Sequence, residues 1–251
     1  MTTPSTQRAC VVLIGNELLS GKITDTNGPF AIAGLRALGV QLCALHIIPD
    51  QLDVIARTVL AASNEHDIVI TSGGVGPTHD DVTMAAVAQA FGVGFMDHQG
   101  LRQRVKDFFG DQPSRVLEAW MSVARLPEGA ELLWGQDEPW PVCRVRNVHI
   151  LPGTPRFFER QFGVVAQGLE ASPFHLRSID LKTTEGHLAP LLTRAAVRFE
   201  SVDIGSYPSI NPHERRVRVT LESKDASQVE EAARFLLDGL EGSMILDDVE
   251  Q

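Results

Sequence analysis

Cysteine is scarce in this 251-residue chain: Cys10, Cys43 and Cys143 stand far apart, odd in number and without a C-x-x-C pair. Neither a disulfide framework nor a zinc knuckle is readable from them, and a reducing cytoplasm suits the pattern. Net positive charge is missing too. Twenty-two basic against 32 acidic residues leave a formal charge of -10, which argues against binding that depends on neutralising a nucleic-acid backbone. Long apolar runs are also absent; stretches such as Ala9 to Ile14 fall far short of the ~18 residues of a membrane span. Met1 to Arg8 is polar and lacks the order of a signal peptide, so the expectation is a cytoplasmic chain with no membrane and no nucleic-acid partner. What remains is a 43% hydrophobic composition, ordinary for a packed globular protein long enough for one large or two modest domains.

Ala9–Ile14 is a short continuous apolar run stopped by Gly15-Asn16, the signature of a strand buried on both faces of a parallel sheet. Helical spacing over 30–38, a strand over 40–48, a helix over 52–62 and a strand over 67–71 complete a βαβαβ pattern. The fold class expected is α/β: a doubly wound, mostly parallel sheet, closed by a helix over 156–169 and followed by a small α+β domain. Ala171-Ser172-Pro173 reads as the boundary, giving domains 1–172 and 173–251. In the small domain, Gly205-Ser206-Tyr207-Pro208 reads as a turn with a packed tyrosine, with a functional loop as the alternative.

In an open doubly wound sheet, ligands sit beyond the carboxyl ends of the strands. The loops to inspect are therefore 15–28 and 72–81. The second begins Ser72-Gly73-Gly74-Val75-Gly76-Pro77-Thr78-His79-Asp80-Asp81, between a buried strand and an apolar helix. Glycines let successive backbone N–H groups converge on an anion, which makes a phosphate cradle. Asp80 and Asp81 would repel a bare phosphate, and a divalent cation (Mg, Mn or Co) held by carboxylate oxygens resolves that conflict. A plain reading competes, in which Thr78, Asp80 or Asp81 caps the following helix.

The first loop adds Glu17 and Asp25 as carboxylates, Lys22 as a phosphate partner and Asn27 as a neutral hydrogen bonder; its plain reading has Asp25 or Thr26 capping a helix. Pro152-Gly153, at a third strand end, contributes backbone donors or a simple turn. The candidate metal ligands are thus Asp25, Asp80 and Asp81. Asp80, Asp81 and Glu17 are the candidate catalytic groups, Glu17 orienting a water. The candidate ligand contacts are Ser72, Gly73, Gly74, Gly76, Thr78, Lys22, Asn27, Pro152 and Gly153. Arg144 and Arg146 read equally as phosphate contacts or as solvent-facing residues. Cys10 reads as inert packing and His79 as a surface or supporting residue.

Gly15-Asn16-Glu17-Leu18-Leu19 with Asp25-Thr26-Asn27, the Ser72 to Thr83 segment, and Leu151-Pro152-Gly153-Thr154-Pro155 resemble the molybdopterin-binding-like (MoaB/Mog) domain of the CinA, competence/damage-inducible, family. The likeness is greatest to the version that forms the N-terminal half of eukaryotic FAD synthases, and it spans roughly 8–240. One departure stands out: many CinA-like chains carry an Asn followed by a Gly-Thr-Ala-Pro-Gly run before the Pro-Gly turn, where this chain has Trp134-Gly135-Gln136-Asp137-Glu138-Pro139-Trp140-Pro141. The resemblance implies one of two activities. One is metal-dependent hydrolysis of dinucleotide pyrophosphates such as FAD or ADP-ribose; the other is that of the MoaB/Mog relatives, which bind or adenylylate molybdopterin, read here as a binding module without hydrolytic turnover. The metal and phosphate role would fall on Asp25, Gly73, Gly74, Gly76, Asp80 and Asp81, with a nucleotide or pterin phosphate as the small-molecule partner. Neither the amidase module of CinA proteins nor the adenylyltransferase half of FAD synthases is readable in these residues. A homodimer is the expectation from base rates alone.

Overall fold

The computed structural model describes residues 6–136, 138–169, 172–209, 211, 216–240 and 245–250. Two compact units divide the chain, Met1–Ala171 and Ser172–Gln251. No described helix is long and apolar enough to cross a membrane.

In the first unit, β1 (Arg8–Ile14), β2 (Gln41–Ile48), β3 (Ile68–Ser72) and β8 (Val148–Leu151) run parallel. Two strands, β7 (Val142–Val145) and β6 (Glu131–Leu133), extend the sheet antiparallel. The order β2-β1-β3-β8-β7-β6 has β1 and β3 as neighbours although β2 lies between them in sequence, which sets a topological switch point between their ends. The continuous apolar run of β1 is explained by burial on both sides. Cys10, Val12 and Ile14 pack on one face with Ile55 and Val59 of α3 (Leu52–Glu65) and Val87 of α4 (Thr83–Phe91). Ala9, Val11 and Leu13 pack on the other with Leu35 of α2 (Asn27–Ala37) and Phe158 and Phe162 of α7 (Pro155–Gln167). Burial of each such branched or aromatic side chain contributes about 1.5–3 kcal/mol. Both buried thiols are pushed up, Cys10 to about 11 and Cys143 to about 12, by desolvation, so they stay protonated and unreactive at neutral pH.

The mostly parallel sheet matches the expectation, and the differences lie in short pieces. Phe95–Asp97 (β4) and Arg125–Pro127 (β5) pair as a separate two-stranded ribbon; three-residue runs carry no readable period. The first loop contains a short helix, α1 (Asn16–Leu19). Between β4 and β5 lie α5 (Gln99–Phe109), α6 (Ser114–Trp120) and a 3-10 turn over Met121–Ala124.

The second unit has the antiparallel sheet order β10-β11-β9-β12, built from β9 (His175–Leu181), β10 (Asp203–Pro208), β11 (Val217–Ser223) and β12 (Ile245–Glu250). The alternating burial of β11 is the period-two pattern of a sheet covered on one side. Its apolar side packs with Leu188 and Leu191 of α8 (Glu185–Arg198) and Val229 and Leu236 of α9 (Ala226–Asp238). The expected turn at Gly205 to Pro208 is instead part of edge strand β10, and Tyr207 is 59% exposed. Its ring lies beside Gly205, where a side chain would meet it at 2.8 Å, so the tyrosine covers backbone rather than entering the core.

Arg177 on β9 donates from Nη1 to both Glu230 carboxylate oxygens at 2.7 Å, and from Nε and Nη2 to Asp248 at 2.8 and 2.6 Å. The Arg177 guanidinium holds the Asp248 carboxyl below its usual range, and Arg218 does the same to Asp180. A depressed folded-state pKa adds stability that is complete above the unfolded value near pH ~4 and is lost as pH falls through the folded value. Amide hydrogen exchange in β9 should therefore accelerate as pH drops below about 4, after correction for the intrinsic rate. Arg177→Leu, which leaves Glu230 and Asp248 without their shared partner, should remove part of that dependence and lower the unit's opening free energy at pH 7 by about 2 kcal/mol.

Candidate functional site

Three loops leave neighbouring parallel strands on the same side of the sheet. Leu13 is in register with Ser72, and Ser72 with Leu151. The segments that follow them, beginning at Gly15, Gly73 and Pro152, therefore start side by side at the carboxyl edge, with the β1/β3 switch point among them.

One buried side chain ties the three together. Asn27, 7% exposed, donates through Nδ2 to Ser72 Oγ at 2.9 Å and to the Gly153 carbonyl at 2.8 Å. Ser72 Oγ in turn donates to the Pro152 carbonyl at 3.3 Å. Ser72, Asn27, Pro152 and Gly153, named from sequence as ligand contacts, thus form the brace between loops. Asn27 Oδ1 remains buried without a partner.

Gly73 is where the loop leaves the sheet. Its N–H still donates to the Leu151 carbonyl at 3.1 Å, but its φ is 110°, and a Cβ there would collide with the Ile14 carbonyl. Gly74 follows at φ 66°, its missing side chain replaced by the Thr83 hydroxyl. Thr83 is fully buried, donates from Oγ1 to the Gly73 carbonyl at 2.9 Å, and its N–H reaches the Gly74 carbonyl at 3.0 Å. These two residues reverse the chain and leave the next stretch half-buried. Among the described residues, the N–H groups of Gly74, Val75 and Gly76 donate to no protein acceptor. Three successive amides without partners form a ready anion site.

The carboxylates beside them face back into the loop. Thr78 N–H donates to Asp81 Oδ2 at 2.8 Å, and Thr78 Oγ1 lies 2.5 Å from Asp80 Oδ1 and 2.6 Å from Asp81 Oδ2. A single hydroxyl proton serves two carboxylates there. Hydrogen bonding from Thr78 is the chief reason the Asp80 carboxyl sits below its ordinary value, so it is ionised at neutral pH. No side chain caps α4, which removes the capping reading of Thr78, Asp80 and Asp81. Gly76 passes close to Asp81; a Cβ there would be 2.7 Å from Oδ2. His79 is 98% exposed in its side chain and lies 3.9 Å from Asp80 Oδ1.

The first loop behaves differently. Both Asp25 oxygens accept the Gly28 N–H, at 3.0 and 3.2 Å, so this carboxylate stabilises the first turn of α2. The Glu17 carboxylate folds over Gly15, and Lys22 is exposed. Among the described residues no three His, Cys, Asp or Glu side chains gather as a metal-holding group. Asp25, Asp80 and Asp81 are thus not gathered as one set here: Asp25 accepts a backbone N–H of its own loop, and Asp80 and Asp81 stand together at Thr78. Arg144 pairs with Glu131 at 2.5 Å, and the Arg146 guanidinium lies over the Phe91 ring at 4.4 Å, so both have local partners away from these loops. The brace formed by Asn27 was missed from sequence; the signal available was an amide directly before an apolar helix, which reads as a cap.

Gly73→Ala should lower stability by about 3 kcal/mol in urea unfolding, because a strained φ and a clash with the Ile14 carbonyl add. Gly129→Ala, at φ 79° with nothing within 4 Å of its Cβ, isolates the backbone effect and should cost about 1 kcal/mol.

The carboxyl-edge geometry has relatives. A family model described as "Probable molybdopterin binding domain" matches residues 10–171, and one described as "FAD synthase, middle domain" matches residues 173–249. A probable FAD synthase of Caenorhabditis elegans is 32% identical over 270 residues, covering 98% of this chain and 52% of that protein. The chain therefore spans about half the length of that relative. A protein of Archaeoglobus fulgidus is 30% identical over 224 residues, covering 89% of this chain and 94% of its own. The crystal structure of CinA from Thermoplasma acidophilum, described as a protein of unknown function, superposes with a TM-score of 0.59 at 27% identity, over 65% of this chain and 98% of that one. With its glycine loop, its paired aspartates and its parallel sheet inside the matched segment, this chain belongs to the probable molybdopterin binding domain family, followed by a segment of the FAD synthase middle-domain family.

Proposed function

We propose that the first unit binds the phosphate group of a nucleotide or pterin at its carboxyl edge and hydrolyses a dinucleotide pyrophosphate of the FAD or ADP-ribose type with help from a divalent cation. The observation that carries this reading is the row of unpartnered amides at Gly74, Val75 and Gly76 beside two ionised carboxylates. The amides receive phosphate oxygens without reorganisation, because the turn at Gly73 and Gly74 is fixed by the sheet and by Thr83.

The residues fit a cation held by Asp80 and Asp81 with phosphate oxygens completing its shell, the arrangement usual for Mg²⁺ at phosphate sites. Asp25 accepts the Gly28 N–H in its own loop and stands apart from this pair. When bound, Mg²⁺, Mn²⁺ or Co²⁺ would neutralise phosphate charge and acidify a water. Thr78 orients both carboxylates through its hydroxyl and amide. Glu17 is the candidate to orient the attacking water, and Lys22, exposed on the neighbouring loop, is the candidate to meet a second phosphate.

A second reading is favoured by one observation, the lack of a three-ligand metal group among the described residues: the same amides hold a pterin phosphate and no turnover follows. In either reading we propose a cytoplasmic homodimer. Ile32 on α2 and Ile47 on the edge strand β2 are 46% and 41% exposed, the kind of surface that a second copy covers.

Incubation with FAD or ADP-ribose and Mg²⁺, Mn²⁺ or Co²⁺ should release AMP, and a chelator should stop it. Asp81→Asn should reduce the rate about a hundredfold or more, whereas turnover that survives this substitution contradicts the assignment. No AMP together with tight binding of a pterin phosphate selects the second reading.

A further inference from the structure

The large sheet ends on one side at β2, the first strand in the order β2-β1-β3-β8-β7-β6. Its backbone meets β1 through alternate residues. Gly15 N–H donates to the Ile48 carbonyl at 3.0 Å, so Ile48, and in alternation His46 and Ala44, turn their N–H and C=O groups toward β1. Leu45 and Ile47 turn theirs the other way. Among the described residues neither has a backbone hydrogen-bond partner on that side. A register shift opposite Ala9 and Cys10 disturbs only the amino end of the strand, so the stretch from Ala44 to Ile48 is a regular edge with unused donors and acceptors.

Chains ordinarily protect such an edge with lysine, proline or another charge. The Gln41–Ile48 strand contains no Asp, Glu, Lys, Arg or Pro. Leu45 packs with the core on the α2 face of the sheet, and Ile47, two positions on, points to the same face. The helix above presents an apolar flank of its own. α2 covers β2 and β1, whereas α7 covers β8 and β7, so the flank of α2 turned away from α7 faces the β2 edge. Phe30 and Gly34 pack against Phe162 of α7. Ile32, about 200° round the helix from Phe30, stands on the opposite flank and is largely exposed.

We propose that this edge is the seam of a two-fold dimer, in which β2 of one copy pairs antiparallel with β2 of another and the two six-stranded sheets continue as one. The occupant is a second copy because the edge is complementary to itself. About a two-fold axis at His46, Leu45 of each chain comes opposite Ile47 of the other, and each pair exchanges both of its backbone hydrogen bonds. The exposed Ile47 side chain is then covered by Leu45 of the neighbouring copy. The same axis sets both α2 helices on one face of the joined sheet, with their Ile32 flanks turned to each other. Each copy carries a formal charge of -10, and repulsion between like-charged copies is least where the contact holds no carboxylate. This seam rests on the homodimer reading and gives it a register.

Sedimentation equilibrium of the full chain should show a reversible dimer. The Leu45 and Ile47 amide protons, which have no acceptor within the chain, should exchange about a hundredfold more slowly in that dimer than in the dilute monomer. Ile47→Pro removes an outward N–H that the chain's own ladder does not use, and Ile47→Lys sets like charges across the seam. Each should raise the dimer dissociation constant about tenfold or more, with the circular dichroism of the dilute chain unchanged. A dimer whose Leu45 and Ile47 amides exchange as fast as in the monomer, or one that forms equally well from both variants, overturns the seam and leaves the homodimer reading standing. A parent chain that stays monomeric at every concentration overturns both. Amide exchange in the parent chain decides the matter even where a substitution disturbs the strand.

Discussion

The approach of Gly73 to the Ile14 carbonyl is the constraint from which the candidate site follows. Two parallel strands, β1 and β3, end next to each other, and the second chain must leave the sheet where no side chain fits. A left-handed backbone is the available exit, and it turns the following amides away from the ladder that would otherwise use them. Because β2 and α3 intervene between those strands in sequence, the exit coincides with the switch point of the sheet. The brace of Asn27, Ser72 and Gly153 then fixes the position of the loop relative to its neighbours through hydrogen bonds made where water does not compete.

Electrostatics at this edge divides into two parts. The amides offer partial positive charge, and Asp80 and Asp81 offer negative charge a few residues later, held close by one hydroxyl. An anion alone meets repulsion, and a cation alone finds two oxygens rather than a cage. In the function proposed here, the pair of features takes a phosphate that arrives with its own cation, as oxygen-rich Mg²⁺ sites on phosphate enzymes generally do. Asp25, by contrast, accepts the Gly28 N–H and stabilises the first turn of a helix.

Much of this was legible in the chain. The run Ala9 to Ile14 read as a strand covered on both faces, and its side chains do alternate between two cores. The glycine-rich segment after Thr71 read as a cradle because glycine is needed where φ is positive. Asp25 could not be separated from Asp80 and Asp81 by sequence: a carboxylate near a helix start caps or coordinates according to where the backbone amides turn. The ribbon of β4 and β5 is three residues a side, too short for any period to register. Tyr207 read as packed because turn residues surround it, yet it lies on an edge strand where one face meets water. Gln7, Arg144 and His149 come from three separate segments, and only folding brings these residues to one cleft.

The most direct test of the central claim is a titration of the isotopically labelled chain with Mg²⁺ pyrophosphate, followed through the backbone amide resonances. The Gly74, Val75 and Gly76 amide protons should move downfield together and saturate, with Gly163 on the helix α7 unmoved. If those three resonances stay in place while the ligand binds, or if none responds at saturating ligand, the loop is a turn and not a phosphate site.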